Sequence, residues 1–123
     1  MTGKEYVELA MRTNDGKCTE RLSKAAKTRW VDVGGMLNAC LGLSGEVGEL
    51  NDMIKKAVFH EKELNVDHAR RELGDIMWYV AMMCYSFGWD LDEIMEINID
   101  KLRARYPEGF DIVRANNRAA ADV

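Results

Sequence analysis

Apolar side chains recur every three or four residues along most of this chain, which is the spacing of one face of an α-helix. The longest such stretch covers residues 32–58, and a second runs from Asn65, a residue suited to cap a helix, to Gly88, a residue suited to end one. Residues 60–64 connect the two stretches. No segment has the alternation of apolar and polar residues that is typical of strands. The pattern predicts an all-α fold built around an antiparallel pair of long helices.

Shorter helices are predicted on both sides of this pair. The basic stretch 19–30 is predicted to be helical or partly ordered, in an exposed or partner-facing position. Residues 111–123 are polar and rich in alanine, as loosely held tails are. The chain is therefore predicted to be a bundle of four to five helices. The first helix begins at Thr2, which has capping-box spacing with Glu5, and ends at about Thr13. The last predicted helix begins at Asp90, three residues before Glu93, and ends before Pro107.

Composition narrows the class of protein. With 123 residues, 47% hydrophobic and 31% charged, the chain is predicted to form a single domain over 1–123. No window is apolar enough for a membrane span, and charged residues follow Met1 where a signal peptide would be apolar, so a cytoplasmic protein is expected. The net charge of −4 argues against nucleic-acid binding. Cys40 and Cys84 are predicted to be small core residues and Cys18 a loop thiol, since three scattered cysteines form no disulfide or zinc pattern.

Two pairs of acidic residues are the candidate chemistry. Glu46 and Glu49 stand three apart on the first long helix, and Glu72 and Asp75 stand three apart on the second. Residues three apart share a helix face. In an antiparallel pair joined by residues 60–64, Glu49 and Asp75 are predicted to lie at about the same level, with the centres of the pairs about one turn apart. Four carboxylates are therefore expected to converge.

Four converging carboxylates require a cation, because burial and mutual repulsion both oppose their ionised forms. Oxygen ligands without histidine or cysteine select a hard ion, so Mg²⁺ is expected, with Mn²⁺ as an alternative. Gly42, Gly45 and Gly48 recur through the first helix, and Gly74 lies between the acids of the second. Each costs about 1 kcal/mol relative to alanine inside a helix. Either close helix packing or a ligand lying near the backbone explains them.

Three blocks resemble the all-α nucleoside triphosphate pyrophosphohydrolases of the MazG type, a group related to dimeric dUTPases and dCTP pyrophosphatases. They are LGLSGEVGEL at 41–50, ELGD at 72–75 and KLRARYPEGF at 101–110, and together they span about 37–110. The resemblance implies hydrolysis of NTP or dNTP to the monophosphate and pyrophosphate, and a homodimer or homotetramer. It also implies four magnesium ligands, which are Glu46, Glu49, Glu72 and Asp75.

The resemblance suggests roles for further residues. Water would attack the α-phosphorus, with Glu49 as the candidate base. Many relatives carry two adjacent glutamates in the first motif, whereas Gly45 stands before Glu46 here. His60 and His68 show no ligand spacing and are predicted to be surface residues. The residues expected to contact the nucleotide are Trp30, Lys56, Tyr79, Asn98, Lys101 and Arg105.

Other functions remain open at this point. Phosphoribosyl-ATP pyrophosphohydrolase resembles the same group and uses similar acids. A helical module that binds nucleotide or a protein partner without catalysis is a second alternative, which Gly45 keeps open because one acid of the usual first motif is missing. A di-iron bundle is excluded because it requires E-x-x-H, and Asp75 stands three residues after Glu72. The sequence does not reveal the preferred base or sugar.

Overall fold

A computed structural model describes residues 1–28 and 30–118, and in this part of the chain the predicted all-α fold is confirmed. A 3₁₀ turn, Met11–Thr13, follows the first helix. The last helix lies in the predicted tail, of which residues 119–123 fall outside the described residues. None of these helices is both long and apolar enough to cross a membrane. The α-helices are α1 Gly3–Ala10, α2 Cys18–Thr28, α3 Val33–Phe59, α4 Val66–Phe87, α5 Leu91–Arg105 and α6 Ile112–Asn116.

The helix ends follow from local capping bonds. Thr2 forms the predicted capping box, with its side chain accepting from the backbone N–H of Glu5 at 3.1 Å. The Asn65 side chain accepts from the first turn of α4, and Gly88 ends that helix in the left-handed region at φ 69°. Asp90 caps α5 by accepting from the N–H of Asp92, rather than through a box with Glu93. The predicted helix bounds are thus close to those observed.

The antiparallel pair of α3 and α4 is the main helix contact of the chain. At one end the backbone N–H of Asp32 donates to the carbonyl of Ser86 at 3.2 Å. Further along, the ring of Tyr79 lies against the backbone of Gly42, where any β-carbon would clash with it. The α5 helix makes at most slight contact with this pair. The structure therefore centres on a two-helix hairpin.

The buried core of the single chain is small. Among the described residues, the buried apolar side chains are Val33, Ala39 and Cys84. The apolar residues of α4 would be expected to be buried along most of the helix, but in one chain Leu73, Met77 and Trp78 are all more than half exposed. Cys40 and Cys18 are exposed as well, so the predicted core position of Cys40 is also wrong. The reason is that α3 and α4 pack mainly on each other, and the other described helices cover little of their remaining apolar sides.

The accessible surface gives the scale of this exposure. It amounts to 10258 Å² for a chain of 14.0 kDa, against about 6700 Å² for a compact monomer of that mass. Many large apolar side chains contribute to this exposure, and Leu41 on α3 is 74% exposed. A single copy of the chain thus leaves much of its apolar surface uncovered.

Candidate metal centre and nucleotide site

Three of the four predicted metal ligands meet between α3 and α4. Glu46, Glu72 and Asp75 each offer one carboxylate oxygen, and these oxygens lie within 4.8 Å of one another. The i, i+3 spacing of Glu72 and Asp75 presents both from one face of α4, and Glu46 faces them from α3. The distance is short enough for one cation to contact all three.

Glu49 lies outside this group of three. Its side chain is exposed, and it shares a groove with Glu72. The prediction that Glu49 is level with Asp75 is wrong by about one helical turn, since Glu46 is the residue that meets Asp75. The physical reason is the connection, which curls back so that the N–H of Lys62 donates to the Lys56 carbonyl at 3.2 Å.

Glu72 is the buried member of the group, with 6% of its surface exposed. Its Oε1 lies 2.7 Å from Nε2 of His68, within ion-pair distance. Its Oε2 is buried and has no hydrogen-bond partner among the described residues. A buried carboxylate oxygen without a partner is unfavourable. A hard cation between the three carboxylates would satisfy this oxygen, so the donor set and its burial both fit Mg²⁺ or Mn²⁺.

The acids also change the protonation of Glu46. Its pKa is raised above the ordinary value of 4.5, first because its carboxyl can share a proton with the Glu72 carboxylate. Desolvation and the negative charges of Glu49, Asp75 and Glu72 act in the same direction. Such a cluster holds a proton more tightly in the absence of metal. A bound cation would replace that proton.

Two grooves flank the acids. The first has a volume of about 410 Å³, and the second, of about 360 Å³, is lined by Glu46, Asp75, Trp78 and Tyr79. On Gly45 and Gly48 an added β-carbon would meet nothing within 4 Å, so these glycines leave the first groove open. Of the two explanations for the glycines, close packing therefore holds for Gly42 and an open surface for Gly45 and Gly48. The first groove is lined by Gly45, Gly48, Glu49, Asp52, Met53, His68 and Glu72.

Comparison with known proteins agrees with this arrangement. The sequence model of the MazG nucleotide pyrophosphohydrolase domain matches residues 36–110, which include all four acids. This chain belongs to the MazG nucleotide pyrophosphohydrolase family. The Gene 37 protein of Mycobacterium phage L5 is 33% identical over 89 residues, which cover 68% of this chain and 77% of that protein. No solved structure gave a significant match.

Two of the predicted nucleotide contacts of this MazG domain lie beside the acids. Tyr79 lines the second groove and forms an edge-on ring contact with Trp78 at 5.0 Å between centroids. Lys56 lies two turns beyond Glu49 and forms an ion pair with Asp52 at 2.6 Å. The Lys56 ammonium holds the pKa of the Asp52 carboxyl below its ordinary value. Tyr79 thus lies in the second groove, whereas Lys56 lines a neighbouring pocket that shares Asp52 and His68 with the first groove.

The other predicted contacts are not among the residues that line the two grooves. Trp30 packs edge-on against Phe87 at 6.0 Å, and Phe87 lies twelve residues beyond Asp75, or about 18 Å along α4. Neither groove is lined by a residue of α5. The α5 residues concerned are Asn98, Lys101 and Arg105.

Two residues of the MazG site were not identified from the sequence. His68, for which only a surface position was predicted, is half exposed, yet its Nε2 lies 2.7 Å from Oε1 of the buried Glu72. The signal for it is the i, i+4 spacing from an acid of the second motif. Asp52 continues the three-residue spacing of Glu46 and Glu49 and lines the first groove. Neither spacing is specific enough to indicate a site residue until the relative positions of α3 and α4 are known.

Proposed function

We propose that this chain hydrolyses nucleoside or deoxynucleoside triphosphates to the monophosphate and pyrophosphate, with Mg²⁺ as the metal and Mn²⁺ as a substitute. The observation that supports this most is the meeting of Glu46, Glu72 and Asp75 within 4.8 Å, in a chain of the MazG nucleotide pyrophosphohydrolase family. Such carboxylates bind polyphosphate through a metal, which allows a protein of net charge −4 to accept a polyanion.

The metal would be held by these three carboxylates, with Glu49 as the fourth ligand or as a contact through water. When bound, the ion would neutralise negative charge on the phosphate oxygens. The burial of Glu72 supports this assignment, because its unpartnered Oε2 needs a positive partner. The half-buried Glu46 and the exposed Asp75 leave the other side of the group accessible to substrate.

Glu49 is proposed as the general base. It stands on the wall of the first groove, exposed and one turn from Glu46, where a water molecule can reach it. The water oxygen would attack the α-phosphorus as its proton passes to the Glu49 carboxylate. The bond between the α-phosphorus and the bridging oxygen then breaks, and pyrophosphate leaves. Gly45 opens the groove at the position where many relatives carry a glutamate.

The nucleotide would lie along the grooves beside the acids. Lys56 is placed to contact a phosphate, and the ring of Tyr79 is placed to contact the base. We also propose that the chain forms a homodimer or homotetramer, in which α5 and Trp30 complete the site of a partner copy. The uncovered apolar surface of the single chain supports this assembly.

The test is a hydrolysis panel over the NTPs and dNTPs, and over phosphoribosyl-ATP, with Mg²⁺ and with EDTA. Products are resolved by chromatography, and Glu49→Gln is compared with Glu20→Gln, which neutralises an exposed glutamate of α2. Monophosphate and pyrophosphate, formed only with metal and lost in Glu49→Gln alone, would support the proposal. Turnover of phosphoribosyl-ATP alone would assign the histidine-synthesis reaction instead. Binding without turnover would assign a nucleotide-binding module.

A further inference from the structure

A short contact between His68 and Glu72 joins an exposed residue to the buried acid of the metal centre. The Nε2 of His68 lies 2.7 Å from Oε1 of Glu72, and the side chains are 53% and 8% exposed. At this distance an imidazole N–H or imidazolium at Nε2 would stabilise negative charge on Oε1. His68 therefore takes up one of the two oxygens of Glu72.

The position of the imidazole is itself fixed by the start of α4. The backbone N–H of His68 donates to the Oδ1 of Asn65 at 3.0 Å, which places His68 in the capped first turn. Glu72 follows one turn later, so the two side chains lie on the same helix face. Helix geometry, rather than a flexible loop, thus brings these two side chains together.

With Oε1 engaged, only Oε2 of Glu72 remains available for an ion. That oxygen is buried and has no hydrogen-bond partner among the described residues. Its neighbours Glu46 and Asp75 are carboxylates, and Glu46 can donate a proton only in its neutral form. In an ordinary i, i+4 surface pair, both carboxylate oxygens are exposed to water, so neither would be a buried oxygen without a hydrogen-bond partner.

We propose that His68 is a positioning residue, which orients the Glu72 carboxylate so that Oε2 faces the metal. The inference rests on the proposed metal site and adds a residue that the motifs do not contain. When a group that contacts a metal-binding carboxylate, but not the metal itself, is removed, the affinity for the metal usually falls by about 10- to 100-fold. The effect of His68 is therefore expected in metal affinity, with no direct contact to substrate.

The experiment measures Mn²⁺ binding to the full chain by electron paramagnetic resonance, with calorimetry as a second readout. His68→Leu removes the donor, whereas His68→Gln places an amide N–H₂ close to the position of Nε2. We expect His68→Leu to weaken Mn²⁺ binding by about tenfold or more and His68→Gln to retain most of it. His60→Leu is the matched control, because His60 caps the end of α3 and bonds no acid of the cluster.

Glu72→Gln separates this proposal from the proposed function. If Glu72→Gln leaves Mn²⁺ binding unchanged, the metal site itself is wrong. If Glu72→Gln weakens binding and His68→Leu does not, only the role of His68 is overturned. A His68→Leu variant that raises KM for the nucleotide at unchanged Mn²⁺ affinity would also overturn it, because His68 would then contact substrate from the first groove. Circular dichroism confirms that each variant keeps its helices.

Discussion

The ring of Tyr79 lies directly on the backbone of Gly42, at the point where α4 crosses α3. A β-carbon on Gly42 would overlap three atoms of this ring. Tyr79 also lines the groove beside Glu46 and Asp75. The absence of a side chain at Gly42 therefore has two effects. It allows α3 and α4 to approach closely, and it sets the position of the Tyr79 ring at the site.

Replacing Gly42 tests this contact. We expect Gly42→Ala to lower the free energy of unfolding by about 1–3 kcal/mol, because overpacking displaces Tyr79. Gly45→Ala is the control, since its β-carbon meets nothing within 4 Å; it should gain about 1 kcal/mol from helix propensity. Urea denaturation measures both. In a Tyr79→Ala background the Gly42→Ala penalty should disappear, and its persistence there would contradict the proposed contact.

The helices were predictable from the sequence because their signals are local. Thr2, Asn65 and Gly88 form their caps with neighbours a few residues away. The relative level of α3 and α4 was missed by about one turn, because it depends on the backbone bond from Lys62 to Lys56 in the connection. No residue pattern in that connection indicates the bond.

Burial was harder to predict than helix position. An apolar stripe shows that a helix face needs cover, but it does not show whether the same chain or a partner provides it. Leu41 and Met77 therefore belong to apolar stripes and are nevertheless exposed in one chain. Similarly, the pairing of Glu46 with Asp75 became clear only when the level of the helices was known.

The separation of Glu49 from the other acids predicts two classes of variant. Glu46→Gln, Glu72→Gln and Asp75→Asn each remove a member of the close group and should weaken Mn²⁺ binding by at least tenfold. Glu49→Gln should reduce kcat by about 100-fold or more and affect Mn²⁺ binding less. Calorimetry and steady-state kinetics measure the two effects. Equal losses of Mn²⁺ affinity in all four variants would make Glu49 an ordinary ligand.

The raised pKa of Glu46 predicts how stability depends on pH without metal. A raised pKa in the folded state means that the folded chain binds the proton more tightly than the unfolded chain. This contribution is fully present below about pH 4.5, the ordinary value for glutamate, and is lost as the pH rises through the folded pKa.

Glu46→Gln removes this titration and isolates its effect. In EDTA, the Tm of the wild type should fall relative to that of Glu46→Gln as the pH rises above about 4.5. Added Mg²⁺ should raise the wild-type Tm at neutral pH, because it binds only the folded chain. Scanning calorimetry over a pH series measures both trends. Parallel pH profiles for the two proteins would show that the proton at Glu46 has no such role.

Lys56 allows a test of substrate contact with little risk to the fold. Its partner Asp52 is half exposed, and exposed pairs of this type contribute little to stability. We expect Lys56→Met to keep its Tm within a few degrees and to raise KM for the nucleotide by about tenfold, as loss of a charge-assisted bond to phosphate would. Lys55→Met is the matched control. An unchanged KM in Lys56→Met would remove this residue from the site.

The exposed apolar surface predicts an obligate assembly. The single chain has about 3500 Å² more accessible surface than a compact monomer of its mass, which exceeds the roughly 800 Å² per partner of an ordinary interface. We therefore expect analytical ultracentrifugation to find a dimer or tetramer and the Tm to rise with protein concentration. Leu41→Glu places a charge on a residue that is 74% exposed in one chain. A monomer would tolerate it as it tolerates Asn51→Glu, whereas an assembly that covers Leu41 should dissociate and lose its cooperative unfolding.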